Sequence, residues 1–494
     1  MSSYKHIIKA TSIFGGVQVV TILVNIARSK LIAVLLGPAG MGINGMLNSA
    51  ITMIGNLTNF GLSTSAVKSV AFAFGSGDKA KIASEITVLR RLVWFTGLLG
   101  SVVMFVLAPF LSRWSFGSEE YTFSFYIVAG TLLINQVSSG QRVLLQGSRQ
   151  LAYLAKSTVW GAVLGLVATI PLYYYFKEEG IAYAILLGAL NSLLLTYFYS
   201  RKISIKSIAL SWKEVFSRGR EMIQLGFFLS LSNLISTGFS YLFRIFINNT
   251  GTLEDVGYYS AGFAMISTYF GLIFTAMATD YYPRLSAVSA QNSLVKKEIN
   301  QQMEVSMLIV SPILCAFIFF ADWALIALYS TDFVRIKEMM ICAAFGVYFK
   351  VASWSIAYVF LAKGHSKLYF ANEMFTHFYL FILNVIFFKY WGLVGVGVSY
   401  CIGYLLYFFQ MYKVASIKYE FGLSAEFWKI FWIQITCGAI ALIISLLLDR
   451  GIFFYGIGIL LISFNSYISF RMLDKKIQFS KLIREKLFKK TKQE

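Results

Sequence analysis

Apolar runs of about 20 to 30 residues recur along this 494-residue chain, each long enough to cross a hydrocarbon core roughly 30 Å thick. Bounded by charges or by Gly/Pro punctuation, they fall at 10–36, 42–73, 91–111, 122–146, 151–176, 180–200, 222–247, 256–281, 302–321, 338–362, 367–388, 392–412, 429–448 and 451–470. Fourteen spans return both termini to one side. Only 13% of residues are charged, against about 25% in soluble domains, so little is left for a soluble domain. The expected fold is an all-α polytopic membrane protein. The first run directly follows MSSYKHIIK and exceeds the roughly 7 to 15 residues of a signal-peptide core, so that helix is expected to stay.

A net charge of +20 raises the question of nucleic acid, and the position of the charge answers it. With a cytoplasmic N-terminus, about 30 of the 43 Lys and Arg residues fall on inner segments and about six on outer loops, as the positive-inside rule expects. The membrane accounts for the charge, and no nucleic-acid partner is expected. The tail RMLDKKIQFSKLIREKLFKKTKQE spaces Ile477, Leu482, Ile483 and Leu487 on one helical face among nine cations, a pattern suited to anionic headgroups. Cys315, Cys342, Cys401 and Cys437 stand singly within apolar runs and read as small core residues, without metal-binding spacing.

Sliding the chain along itself reveals a repeat. Arg28 falls on Arg244 at an offset of 216, Gly42 on Gly257 at 215 and Gly55 on Gly271 at 216. LQGSRQLAY matches AKGHSKLYF at 217, and the run beginning EGIAYA matches that beginning WGLVGV at 212. Each copy spans six helices, so both copies share an orientation. The expected architecture is two six-helix bundles related by pseudo-two-fold symmetry along the membrane normal. That gives an N-terminal lobe at 1–200, a basic cytoplasmic linker at 201–221, a second lobe at 222–413, two extra transmembrane helices at 414–470 and a basic tail at 471–494.

Seven cations lie within spans: Arg28, Lys30, Lys68, Arg142, Lys156, Arg244 and Lys350, against two comparably placed acids, Asp280 and Glu373. A cation at a helix centre costs roughly 2.5 to 3.5 kcal/mol on insertion scales, so this set calls for a polar lumen, a bound anion or escape to the interface. Arg28 sits nine residues before Gly37, about 13 Å along a helix and near the midplane. Lys350 is equally deep, and Arg244 is shallower. Lys68, Arg142 and Lys156 lie near span ends, within reach of snorkelling. Arg28 and Lys30 point about 200° apart, so only one of them can face a given cavity. Glu373 and His377, at i and i+4, form either a satisfied pair or a proton or cation relay. Asp280 has Arg284 one turn away as a structural counter-ion, and is otherwise a third ion-coupling candidate.

The segments KLIAVLLGPAGMG, EDVGYYSAGFAMIS with the later YYPRLS, and LAKGHSKLYFANE resemble the Wzx lipid-linked oligosaccharide flippases, of the O-antigen and enterobacterial-common-antigen type. These belong to the multidrug/oligosaccharidyl-lipid/polysaccharide exporter superfamily, and the likeness covers about residues 5 to 415. It implies a multi-pass protein of the bacterial inner membrane that moves undecaprenyl-pyrophosphate-linked oligosaccharide from the cytoplasmic to the periplasmic leaflet by alternating access. It also implies a polymerase and a chain-length regulator as downstream partners. The family's basic residues fall on Lys30, Arg149 and Arg244, and its glutamate in the eleventh span on Glu373. The family core has twelve helices, so the last two depart from it.

The expected substrate contacts are therefore Arg28 or Lys30, with Arg142, Arg149, Arg244 and Lys350. The expected ion-coupling set is Glu373, His377 and Asp280. A multidrug and toxin extruder, the rival within the fold, moves cations and would line its path with carboxylates. A membrane glycan polymerase or transferase would need a sizeable loop with acidic or His groups, and this chain has three His in all. No phosphate-binding GxxxxGK[ST] loop is present, and neither cofactor nor metal is expected.

Overall fold

The computed structural model describes residues 3–203, 205 and 208–477, so the amphipathic spacing of Leu482, Ile483 and Leu487 lies outside the described residues. The described chain is helical, with no strand among the described residues. The helices are α1 Ser3–Thr58, α2 Leu62–Ser76, α3 Lys79–Phe116, α4 Thr122–Gly147, α5 Leu151–Phe176, α6 Gly180–Ser200, α7 Trp212–Thr250 and α8 Leu253–Met265. There follow a π turn at Ile266–Phe270, α9 Gly271–Ala287, α10 Asn292–Phe319, α11 Ala321–Leu328, α12 Lys337–Ala362, α13 Ser366–Tyr419, α14 Ala425–Leu447 and α15 Ile452–Ile477.

Ten stretches among the described residues are long and apolar enough to cross a membrane, and the protein is a multi-pass membrane protein. Two of the ten, Gly16–Thr58 and Ser366–Tyr419, each hold two of the apolar runs. α1 is broken at Gly37, whose φ of 65° only glycine adopts freely, and Pro38 then opens the second half with its fixed φ and missing N–H. α13 is broken in the same manner at Gly392, φ 57°. The run at 42–73 is not one helix. It stops at Thr58, turns through Phe60 and Gly61, both at positive φ, and resumes as α2. Asn59 fixes that turn by accepting the Gly61 N–H at 2.7 Å. α4 is absent from the ten because Asn135, Gln136, Ser138, Ser139, Gln141 and Arg142 give it a polar stripe.

The chain forms two compact units, one of Met1–Ser260 with Leu328–Asp332, the other of Ala261–Ala327 with Phe333 onward. In the first, α7 packs on α1, α2 and α3. Its start and the residue leading into it are seated in that unit: Leu210, Val215 and Met222 are buried with Leu62, Val88 and Leu92. Arg91 donates to the Leu210 carbonyl, and Arg218 to Ser84 at 2.6 Å. Ser211 caps α7 reciprocally with Glu214, a cap worth about 1 kcal/mol. The backbone N–H and then the hydroxyl of Ser211 hold the Glu214 carboxyl below its usual range.

In the same unit the second half of α1 crosses the start of α8 at glycine. A Cβ on Gly42 would overlap the Leu253 carbonyl oxygen, and one on Gly257 the Pro38 carbonyl oxygen. The backbones therefore touch without intervening side chains, the close approach that small residues permit between membrane helices.

In the second unit α12 packs on α10 and α13, and α14 and α15 pack on α10. A buried network fastens them: Asn465 donates to Ser311 Oγ at 3.0 Å, Ser469 to Asn465 at 3.2 Å and Gln434 to Ser469 at 3.0 Å. Interhelical bonds of this kind average about 0.6 kcal/mol each, so they register the helices more than they stabilise them. At the end of α15, Lys476 reaches Glu304 at 2.7 Å, and the Ser424 hydroxyl donates to the same carboxylate at 2.8 Å. At the other end Arg450 pairs with Asp322, whose carboxyl is pushed up by burial against the pull of that guanidinium.

Candidate functional site

Two cavities open in the first unit and meet at Ser63 and Ser139, which line both. The first, about 240 Å3, is walled by α1, α3 and α4 and presents Asn56, Asn59, Asn135, Gln136, Thr52 and Thr96 without one charged group. Its amides are held from behind. Gln136 donates to Thr96 at 2.9 Å, Asn56 to Thr237 of α7 at 3.3 Å, and Asn59 accepts from Ser230 at 2.9 Å. The second, about 360 Å3, lies between α4 and α5 and holds Arg142, Gln146 and Thr158. Arg142 Nη1 donates to Ser138 and Ser192, both at 3.2 Å, and Ser138 bonds Thr196 at 3.2 Å. Hydroxyls of α6 thus aim a cation of α4, while no carboxylate lines either cavity.

Of the six cations expected at a substrate path, Arg142 is the one that lines these cavities. Arg28 is wedged against α5: its Nη2 lies 3.3 Å from where a Cβ on Gly165 would stand, and its buried Nε has no hydrogen-bond partner. Lys30 is half-buried one half-turn away. Arg244 is buried beneath the glycine crossing, donating to the Ser240 carbonyl at 3.1 Å and to Ser260 at 3.3 Å, with its guanidinium 5.2 Å from the Tyr259 ring centre. Arg149 is exposed in the turn after α4 at φ 58°. In that turn Gln150 N–H bonds the Leu145 carbonyl at 2.9 Å, and His365 N–H bonds Phe360 O at 2.8 Å in the matching turn, where Gly364 has φ 75°. Arg149 and Gly364 are structural equivalents, so this turn repeats at 364 minus 149, or 215 residues, rather than at the 217 of the best sequence match.

In the second unit the buried cation Lys350 is boxed by aromatics. Lys350 donates to the Tyr400 hydroxyl at 3.2 Å and lies 4.8, 5.7 and 5.8 Å from the ring centres of Tyr404, Tyr400 and Phe274. The π turn just before α9 shifts the register that delivers Phe274 to this box. Each ring contributes roughly 0.5 to 2 kcal/mol, so the ammonium is compensated without a carboxylate in contact. The expected sharing of a proton between Glu373 and His377 is not what forms: Glu373 Oε1 accepts from Tyr407 at 2.5 Å, across the break in α13. Lys350 is the charge that both residues feel. Asp280 is bonded by Arg284 at 2.8 Å, which also reaches Glu298 at 2.6 Å.

Sequence reasoning missed the neutral residues Asn56, Asn59, Asn135 and Gln136. For Asn135 and Gln136 the signal was INQVSSGQR, six polar residues crowded onto one span.

A family profile described as polysaccharide biosynthesis protein matches residues 31–338, more than half of the chain. The chain belongs to that family. The chain is similar to the Lipid III flippase of Escherichia coli K12, 23% identical over 77% of this chain and 91% of that one. Another, named "Putative O-antigen transporter", comes from Shigella flexneri and is 22% identical over 75% and 88%. Among solved structures, Lipid II flippase MurJ in an inward closed conformation superposes with a TM-score of 0.69 at 13% identity, covering 95% of this chain and 99% of that one. A MATE-family multidrug resistance transporter of the MOP superfamily gives the same TM-score at 16% identity, over 81% and 94%. The family member described here therefore has the MOP-superfamily fold, a fold shared by flippases and drug transporters alike.

Proposed function

We propose that this protein is a flippase that carries undecaprenyl-pyrophosphate-linked oligosaccharide from the cytoplasmic to the periplasmic leaflet of a bacterial inner membrane, for surface polysaccharide assembly. The observation that carries this reading is a guanidinium, Arg142, lining a cavity that adjoins a neutral, amide-rich one inside a membrane bundle. A pyrophosphate cannot cross hydrocarbon bare. Arg offers it a planar fork, and amides and hydroxyls match the hydroxyl and acetamido groups of sugars. Both termini face the cytoplasm, and access alternates between the leaflets. Arg28 or Lys30, Arg149, Arg244 and Lys350 complete the cationic path, Glu373 with His377 couples an ion, and a polymerase with its chain-length regulator consumes the product.

The relatives named as flippase and O-antigen transporter support this substrate class. The drug-extruder alternative shares the fold, but the carboxylates that a cation carrier needs are absent from both cavities. The test is export in cells that depend on this protein, with membrane levels matched by immunoblot. Arg142→Ala should lower surface glycan about tenfold or more and accumulate lipid-linked precursor, while Arg142→Lys retains part of the flux. Wild-type export by Arg142→Ala would overturn the reading.

A further inference from the structure

α4 packs against both α3 and α6. Toward one end of this trio a separate cavity of about 290 Å3 is lined by Arg90 and Trp94 of α3, Gln141 of α4, and Tyr197, Ser200 and Arg201 at the end of α6. Arg90 and Trp94 are one helical turn apart, as are Tyr197 and Arg201. Each wall therefore presents a cation at its end and an aromatic one turn deeper. Trp94 and Tyr197 are about half exposed, on a surface that meets lipid in a bilayer. Between the walls, Gln141 Oε1 accepts the Ser200 hydroxyl at 2.7 Å, giving a polar floor. The Arg201 guanidinium lies 5.6 Å from the Tyr197 ring centre, held over the groove. In the sequence Lys202 follows Arg201, and no acid occurs before Glu214. None of the six lining residues borders the Arg142 cavities.

We infer that this groove is a binding site for an anionic phospholipid, with the phosphodiester between Arg90 and Arg201 and the acyl chains running along Trp94 and Tyr197. Two guanidiniums supply the fork geometry that a phosphate prefers, and the flanking aromatics sit at the depth where rings favour the headgroup boundary. The occupant is a bulk lipid and not the transported one. The groove offers one amide, Gln141, where a sugar chain would need several, and its half-exposed rings face outward. This inference stands whether or not the flippase reading does.

Bromolipid quenching of the full-length protein in phosphatidylcholine liposomes tests it. The Trp94 signal is isolated as the difference between wild type and Trp94→Phe. Brominated phosphatidylglycerol should quench that signal about twofold or more beyond brominated phosphatidylcholine at equal content. The preference should vanish in the Arg90→Gln/Arg201→Gln double variant, whose overall tryptophan emission should match the wild type's. Equal quenching by the two lipids, or a preference that survives in the double variant, would overturn the site. So would loss of the preference on adding inorganic phosphate, which would assign the pocket to a free anion. Loss on adding an equal amount of a polyprenyl phosphate would assign it to the transported lipid and equally defeat the inference.

Discussion

At the scale of the residue, which cations lie within apolar runs was legible and what each side chain meets was not. The sequence placed Arg142 among seven intramembrane cations, within reach of snorkelling, and gave more weight to the deeper Arg28 and Lys350. The difference is tertiary: hydroxyls of α6 aim Arg142 into a cavity, while rings from α9 and α13 wrap Lys350. Asn56 and Gln136 escaped notice because neutral amides in a span are ordinarily packing contacts, and only the convergence of three helices makes a cavity of them. Arg149 tests structure against function directly. Its left-handed backbone costs about 1 kcal/mol in a residue with a side chain, and the equivalent position is Gly364. Arg149→Gly should raise the thermal unfolding midpoint by a degree or more and lower export if the guanidinium touches substrate. Raised stability with unchanged export would remove Arg149 from the path.

At the scale of the element, apolar runs located the helices and two of their joints: the breaks at Gly37 and Gly392 fall where adjacent runs were parted. Hydropathy did not register the Phe60–Gly61 turn, which cuts the run at 42–73 in two. The polar stripe of α4 likewise lowers its hydropathy because the helix faces cavities and not lipid. The crossing of α1 and α8 yields a sharp expectation. Gly42→Ala and Gly257→Ala each push a methyl into a carbonyl oxygen, so each should lower the unfolding midpoint by several degrees. Gly188→Ala, which meets nothing within 4 Å, should be neutral in the same assay. Equal midpoints for all three would mean that the crossing is looser than described.

At the scale of the whole molecule, the helical membrane fold was legible because chain composition alone excludes a soluble core. Which residues cluster into each compact unit was not, since α7 joins the first unit through contacts that no periodicity announces. The charge distribution makes a topological prediction. In a cysteine-free background, Lys177→Cys should react with a membrane-impermeant maleimide in intact spheroplasts, and Asp78→Cys only after permeabilisation. The reverse pattern would invert the direction of transport. The glycine crossing carries a consequence for how solution conditions act on the protein. Main chain rests on main chain there, with no titratable group at the contact itself. Acidity or ionic strength that weakens substrate capture at Arg142 should leave this contact as it is, so shifts in transport with buffer report on the charges of the cargo and of the coupling residues and not on a loosened joint.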